Sequence, residues 1–188
     1  GEIHVSEKMK GILVDTSKFI DYTIVNPGKL SPDLQFDLCS RCHLQGNTVL
    51  EEDKSFFDFK PGMKLDDVMN VFLPRFKDDE RFIMASHVDR LKMSQCFIKS
   101  NDELTCITCH NPHLSINATP KVVYKNACYS CHSDLKDHET EKGDDCISCH
   151  MPKSGSTDIP HVTVTDHKIA ITQHMSLSES KSVKEFIG

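Results

Sequence analysis

Four times the chain spells Cys-x-x-Cys-His: Cys39-Ser-Arg-Cys42-His43, Cys106-Ile-Thr-Cys109-His110, Cys128-Tyr-Ser-Cys131-His132 and Cys146-Ile-Ser-Cys149-His150. Paired thiols followed at once by an imidazole suit one chemistry above others, the covalent attachment of a c-type haem. The two sulfurs add across the vinyl groups as thioethers, and the histidine becomes the proximal ligand of the iron. Two intervening residues let one short helical turn reach both vinyls, and a histidine directly after the second cysteine lands beneath the metal. Eight of the nine cysteines are used in this way. Four covalently attached haem c (heme c) groups are therefore expected.

Zinc is the competing reading. Paired Cys-x-x-Cys units also build zinc ribbons, and the separation of Cys109 from Cys128 falls within ribbon spacing. Zinc gives no reason for a histidine after every second cysteine. With 11 histidines in 188 residues, four such coincidences come to roughly one in 10⁵ against the motif rule. Thioredoxin-like redox pairs fail on the same ground.

A six-coordinate iron needs a second, distal ligand. Beyond the four proximal histidines, His4, His87, His113, His138, His161, His167 and His174 remain. His87 lies between Ile83 and Leu91 on an apolar helical stripe, as a ligand or as a satisfied core histidine. His113 follows His110 behind Asn111-Pro112 and cannot reach the same iron from that side, so it is expected to serve a neighbouring haem. His138, between Asp137 and Glu139, suits a ligand or an exposed side chain equally. His161 and His167 sit in an extended segment as further candidates, and His174 is expected at the surface. Met63, Met84, Met93 and Met175 could also close an iron. With surplus histidines, mostly bis-histidine, low-potential haems are expected. Cys96, the odd cysteine, is read as a buried, inert thiol.

The elements that must position these groups are expected to be short. Only 38% of residues are hydrophobic, and there is no Trp, so the side chains alone make a modest core. The expected fold is mainly α with extensive loops and little β structure, organised around its cofactors. Asn26-Pro27-Gly28 marks a turn, and Ser31-Pro32 reads as an N-cap and first helical position leading into the first motif. Lys64 to Phe72 is predicted helical, ended by Pro74. The spacing of Phe82, Ile83, Val88, Leu91 and Phe97 predicts one long helix over 79–99, closed by Ser100-Asn101. Residues 151–156 read as a flexible stretch, 158–171 as extended, and 178–187 as a short amphipathic helix. One multihaem domain over 1–188 is expected: 1–105 with the first haem and a long helical insert, 106–175 with a three-haem cluster, 176–188 as a C-terminal helix or tail. Three motifs within Cys106–His150 leave little protein between haems.

The run Ser94-Gln95-Cys96, with Leu104-Thr105-Cys106-Ile107-Thr108-Cys109-His110-Asn111-Pro112-His113, resembles the multihaem superfamily of hydroxylamine oxidoreductases, cytochrome c nitrite reductases and the related tetrahaem electron-accepting cytochromes. Cys149-His150-Met151-Pro152, Asp158-Ile159-Pro160-His161 and Thr165-Asp166-His167 are similar to a bacterial branch of it. The resemblance covers most of the chain from Asn26 onward. It implies haems stacked in parallel and perpendicular pairs, with His87, His113, His161 and His167 as distal ligands. Gly1-Glu2-Ile3-His4-Val5 resembles the end of a family motif, which implies a longer gene product and His4 as ligand to a haem bound upstream. No Cys-x-x-Cys-Lys motif of the nitrite reductases occurs here. Tyr22, Tyr124 and Tyr129 are the only tyrosines available for a hydroxylamine oxidoreductase-type crosslink.

The leading functional expectation is electron transfer between redox protein donors and acceptors, with no substrate chemistry. The alternatives are an oxidoreductase acting on a small nitrogen or sulfur compound at one five-coordinate haem, and a subunit of an extracellular cytochrome filament. The enzyme reading would need a proton donor such as an unused histidine, Lys121 or Arg90. A neighbouring haem domain or subunit is an expected partner. The formal charge of −6, deepened by haem propionates, disfavours nucleic acid and anionic membrane surfaces. No segment has the length and apolarity of a membrane span. Haem attachment of this kind is completed after export, so a periplasmic or extracellular location is expected.

Overall fold

The computed structural model describes residues 2–19, 21–76, 81–101, 103–135 and 145–171. Within them lie seven helices: α1 Glu2–Met9, α2 Pro32–His43, α3 His87–Lys92, α4 Gln95–Lys99, α5 Cys106–Cys109, α6 Lys121–Tyr129 and α7 Cys146–His150. Four short strands, β1 Asn47–Leu50, β2 Met69–Phe72, β3 Lys153–Gly155 and β4 Thr163–Thr165, form two antiparallel pairs, β1–β2 and β3–β4. The fold is mainly α with long connections and little β structure, as expected. The segments 136–144 and 172–188, with His138, His174 and the C-terminal helix expected over 178–187, lie outside the described residues.

The turn at Asn26-Pro27-Gly28 is a 3₁₀ turn, Pro27–Lys29, whose entry is capped by the Asn26 side chain accepting from the Gly28 amide at 2.9 Å. Helix α2 then starts at Pro32, where a missing N–H costs nothing. It buries Phe36 (2% exposed) against Val88, Leu91 and Phe97. The Phe36 and Phe97 rings meet edge-on at 5.6 Å, a geometry the aromatic quadrupole favours. The helix ends at Leu44, which turns extended and bridges Ser86, while the Gln45 amide donates to Ala85 O at 2.8 Å.

That bridge explains the first correction. The long helix expected over 79–99 is two short ones, α3 and α4. Backbone groups of 85 and 86 pair with 44 and 45, so the helix cannot run back past His87. Ser94 is extended (φ −76°, ψ 140°) and interrupts it again, its hydroxyl engaged with the chain at 167–169. Its apolar side chains nevertheless reach the core as their spacing suggested: Phe82, Ile83, Val88, Leu91 and Phe97 are all buried.

Residues 64–72 are also corrected. They make one helical turn, with the Met69 amide donating to Leu65 O at 2.8 Å, and then become β2. Strand pairing with β1 (Asn47 opposite Phe72, Leu50 opposite Met69) outweighs the local preference. A second core cluster, Leu65, Val68 and Met69, forms beneath this hairpin. Gly46 permits its entry, since a Cβ there would stand 2.5 Å from Phe72 O. Residues 153–155, expected to be flexible, are strand β3, and of the extended segment 158–171 only β4 pairs with it.

Ten apolar side chains are buried among the described residues, while twenty large ones are exposed, Leu13, Phe57 and Ile116 among them. The side-chain core of the described residues is therefore small. No helix among the described residues is long and apolar enough to cross a membrane.

Candidate haem-attachment and ligand site

Each of the four motifs sits on a helical turn. Cys39, Cys42 and His43 close α2, Cys106 and Cys109 form the ends of α5, Cys128 lies in the last turn of α6, and Cys146 to His150 is α7. The His110 and His132 amides donate to the carbonyls of Cys106 and Cys128, each at 2.9 Å. This i to i−4 bond winds the two cysteines onto one side of the turn with the histidine after them. A capping box, in which the Thr105 and Thr108 side chains bond each other's backbone, starts α5, as such reciprocal bonds do.

The motif helices pack in chain order: α2 against α5, α5 against α6, α6 against α7. The sulfurs follow the same series. Cys39 and Cys106 share a hydrogen bond that draws the Cys39 thiol down to about 7 and, with burial, pushes Cys106 up. Burial, with lesser contributions from Cys146 and Cys109, pushes Cys128 up to about 11. Burial also raises Cys109, as does nearby Cys96. Cys96, expected to be buried, is only partly so and stands on α4 beside this row. No disulfide joins any of the nine cysteines.

Four histidines from distant parts of the chain meet above the first two motifs. The ring centroids of His43 and His87 lie 5.5 Å apart, His87 and His167 4.6 Å, and His110 and His167 6.2 Å, the last pair stacked at 28°. Two of the motif histidines thus stand beside two of the expected distal ones. Burial lowers the pKa of His87 to about 4, helped by its three histidine neighbours. Burial likewise lowers His110 and His167. These rings are neutral at neutral pH, the state a metal ligand requires. The Nδ1 atom of His87 is buried without a hydrogen-bond partner, an orphan of the kind that calls for explanation.

Two rings, one of them from this group, are oriented through Nδ1. His167 Nδ1 lies 2.9 Å from Thr165 O, and His150 Nδ1 lies 2.9 Å from Ala170 O. A carbonyl only accepts, so Nδ1 carries the proton in both and Nε2 keeps its lone pair for a metal. Paired thiols on helical turns, neutral buried imidazoles and Nε2-directed tautomers together fit a covalently attached haem.

The other candidates lie elsewhere. His113 is exposed on the turn after α5, its amide held by Asn111 Oδ1 at 3.0 Å. His161 occupies a left-handed backbone position (φ 64°) on an exposed bend. His132 is exposed after α6. His4 is remote in α1, its Nδ1 2.8 Å from Thr23 Oγ1 and 3.6 Å from Asp21. Tyr124, undistinguished in the sequence, packs edge-on against His110 at 5.6 Å. Its only advance signal is its place one helical turn before Cys128.

Residues 99–137 match the family model described as a doubled CXXCH motif. That stretch contains the second and third motifs, and with the site it defines a multihaem c-type cytochrome carrying covalently bound haem c and serving redox partners. Neither the comparison with curated proteins nor that with solved structures found a match.

Proposed function

We propose that this chain is an electron carrier with four haem c groups, most of them closed by two histidines. The packing of α2, α5, α6 and α7 in unbroken series carries this reading, because it strings four attachment motifs into one row with an end at the first and another at the fourth. The haem supplies an iron that takes up and releases single electrons, and its axial ligands set the potential. The chain's part is to hold each macrocycle by Cys39 and Cys42, Cys106 and Cys109, Cys128 and Cys131, and Cys146 and Cys149. His43, His110, His132 and His150 take the proximal positions. His87 and His167, already beside His43 and His110, are the distal ligands best supported by position. His113, His161, His138 and His4 are the candidates for the remaining irons. Within this reading residues 106–175 form a three-haem cluster, the chain is kin to the hydroxylamine oxidoreductase and nitrite reductase superfamily, and it works after export in the periplasm or outside the cell.

Intact mass and low-temperature EPR of the ferric protein test it. Four haems by mass and low-spin signals only are expected. Fewer than four haems, or a high-spin haem that shifts on adding nitrite or hydroxylamine, would overturn it.

A further inference from the structure

We propose that Arg90, Ser94 and Asp166 are positioning residues that clamp the strap 163–170 onto α3 and α4 and thereby hold His167 in place as an iron ligand. The inference rests on reading His167 as a distal ligand and goes beyond that reading to what orients it. Arg90 and Asp166 are 76 residues apart in sequence, and both are buried, 3% and 9% exposed. Arg90 Nε donates to Asp166 Oδ1 at 2.8 Å and Nη2 to Oδ2 at 2.5 Å. Two parallel bonds between planar groups fix orientation as well as distance. The guanidinium is backed by the Phe82 ring at 4.5 Å, which limits its freedom to swing away.

Ser94 completes the grip. It is 1% exposed, its hydroxyl donates to His167 O at 3.0 Å, and it accepts from the Ile169 amide at 2.8 Å. Asp166 Oδ1 also accepts from the Lys168 amide at 2.9 Å. The backbone on both sides of His167 is therefore held, while its ring is turned by Thr165 O. The strap's far end reaches the fourth motif, where the Ala170 carbonyl accepts a hydrogen bond from His150 Nδ1 and the Ala170 amide donates to His150 O at 3.2 Å. A single strap thus orients a distal and a proximal imidazole. A buried ion pair is a poor way to add stability, since desolvation offsets most of the Coulomb gain. It is a good way to hold one orientation.

The experiment compares holoprotein carrying Asp166→Asn, Arg90→Met or Ser94→Ala with wild type and with His167→Gly, by intact mass, ferric EPR and thermal melting. All should keep the wild-type haem mass. His167→Gly should lose the low-spin signal of one haem and gain a high-spin signal that added imidazole reverses. Asp166→Asn and Arg90→Met should show part of the same imidazole-sensitive high-spin signal, and Ser94→Ala a smaller part. Variants that melt earlier yet stay wholly low-spin would overturn the inference, leaving a fastening of the fold and nothing more. Should the two charge variants yield no haem-loaded protein, Ser94→Ala decides: an unchanged low-spin spectrum overturns the proposal. A wild type already high-spin at one haem would instead undo the closed-haem reading itself, and a low-spin His167→Gly would undo His167 as a ligand.

Discussion

An imidazole is ready to ligate iron when it is neutral and its proton sits on the nitrogen facing away. Thr165 O and Ala170 O hold a proton on Nδ1 of His167 and His150, while burial lowers the pKa of His87, His110 and His167. Far from these rings, Asp21 lies 3.6 Å from His4 Nδ1 and 2.8 Å from the Lys8 ammonium. Lys8, and then Thr23, holds the Asp21 carboxyl well below the usual carboxylate range. A carboxylate with a depressed folded-state pKa contributes stability above its unfolded value and loses it as pH falls. The contact between α1 and the 21–23 turn should therefore be unchanged from neutral pH down to about 4 and weaken only in stronger acid. Amide hydrogen exchange across α1 would show this. Asp21→Asn should abolish the acid transition, and persistence of that transition would refute the assignment.

Short elements make each contact count. Helix α2 carries the first motif at its C-terminal end and is seated by one aromatic side chain, Phe36, on Val88, Leu91 and Phe97. Phe36→Ala should cost about 3–5 kcal/mol, read as a fall in the unfolding free energy of the holoprotein, with exposure of the first haem to solvent. The β1–β2 hairpin depends on Gly46, because the carbonyl of Phe72 occupies the place of a Cβ. Gly46→Ala should cost about 1–3 kcal/mol, the usual range for forced overpacking. Its effect should stay in the cluster Leu65, Val68 and Met69 and leave the motif helices untouched. A loss smaller than a few tenths of a kcal/mol at either site would show that the neighbouring chain yields there.

At the scale of the whole molecule the protein-only core is too small for the chain it must organise. Among the described residues, ten buried apolar side chains against twenty large exposed ones leave little to set against the entropy of ordering the chain. Four of the exposed apolar residues, Leu114, Ile116, Val122 and Val123, lie between the second and third motifs. Cofactor attachment and folding should accordingly be one event. Replacing all eight motif cysteines by serine should yield a chain whose far-UV circular dichroism has lost most of its helical signal and whose near-UV signal is absent. A chain lacking the eight motif cysteines that still melts cooperatively would show that the small core suffices.

Cysteine and histidine spacing alone determined the haem chemistry, because thioether bonds and proximal ligation act within five consecutive residues. Composition and periodicity also determined the mainly helical character and which of Phe82, Val88, Leu91 and Phe97 face inward. Helix lengths were not legible there. The long helix over 79–99 breaks because residues 85–86 bridge 44–45 and Ser94 bonds 167–169, and the helix expected over 64–72 yields to pairing with β1. Both causes are contacts between segments far apart in sequence, to which local propensity is blind. The same holds for the site. His87 and His167 were named from the sequence, but their meeting at 4.6 Å, and the ion pair of Arg90 with Asp166 across 76 residues, exist only once α3 and the strap are packed together. Covalent attachment is a local property of the chain, whereas the placing of a second ligand is a long-range one that tertiary structure alone decides.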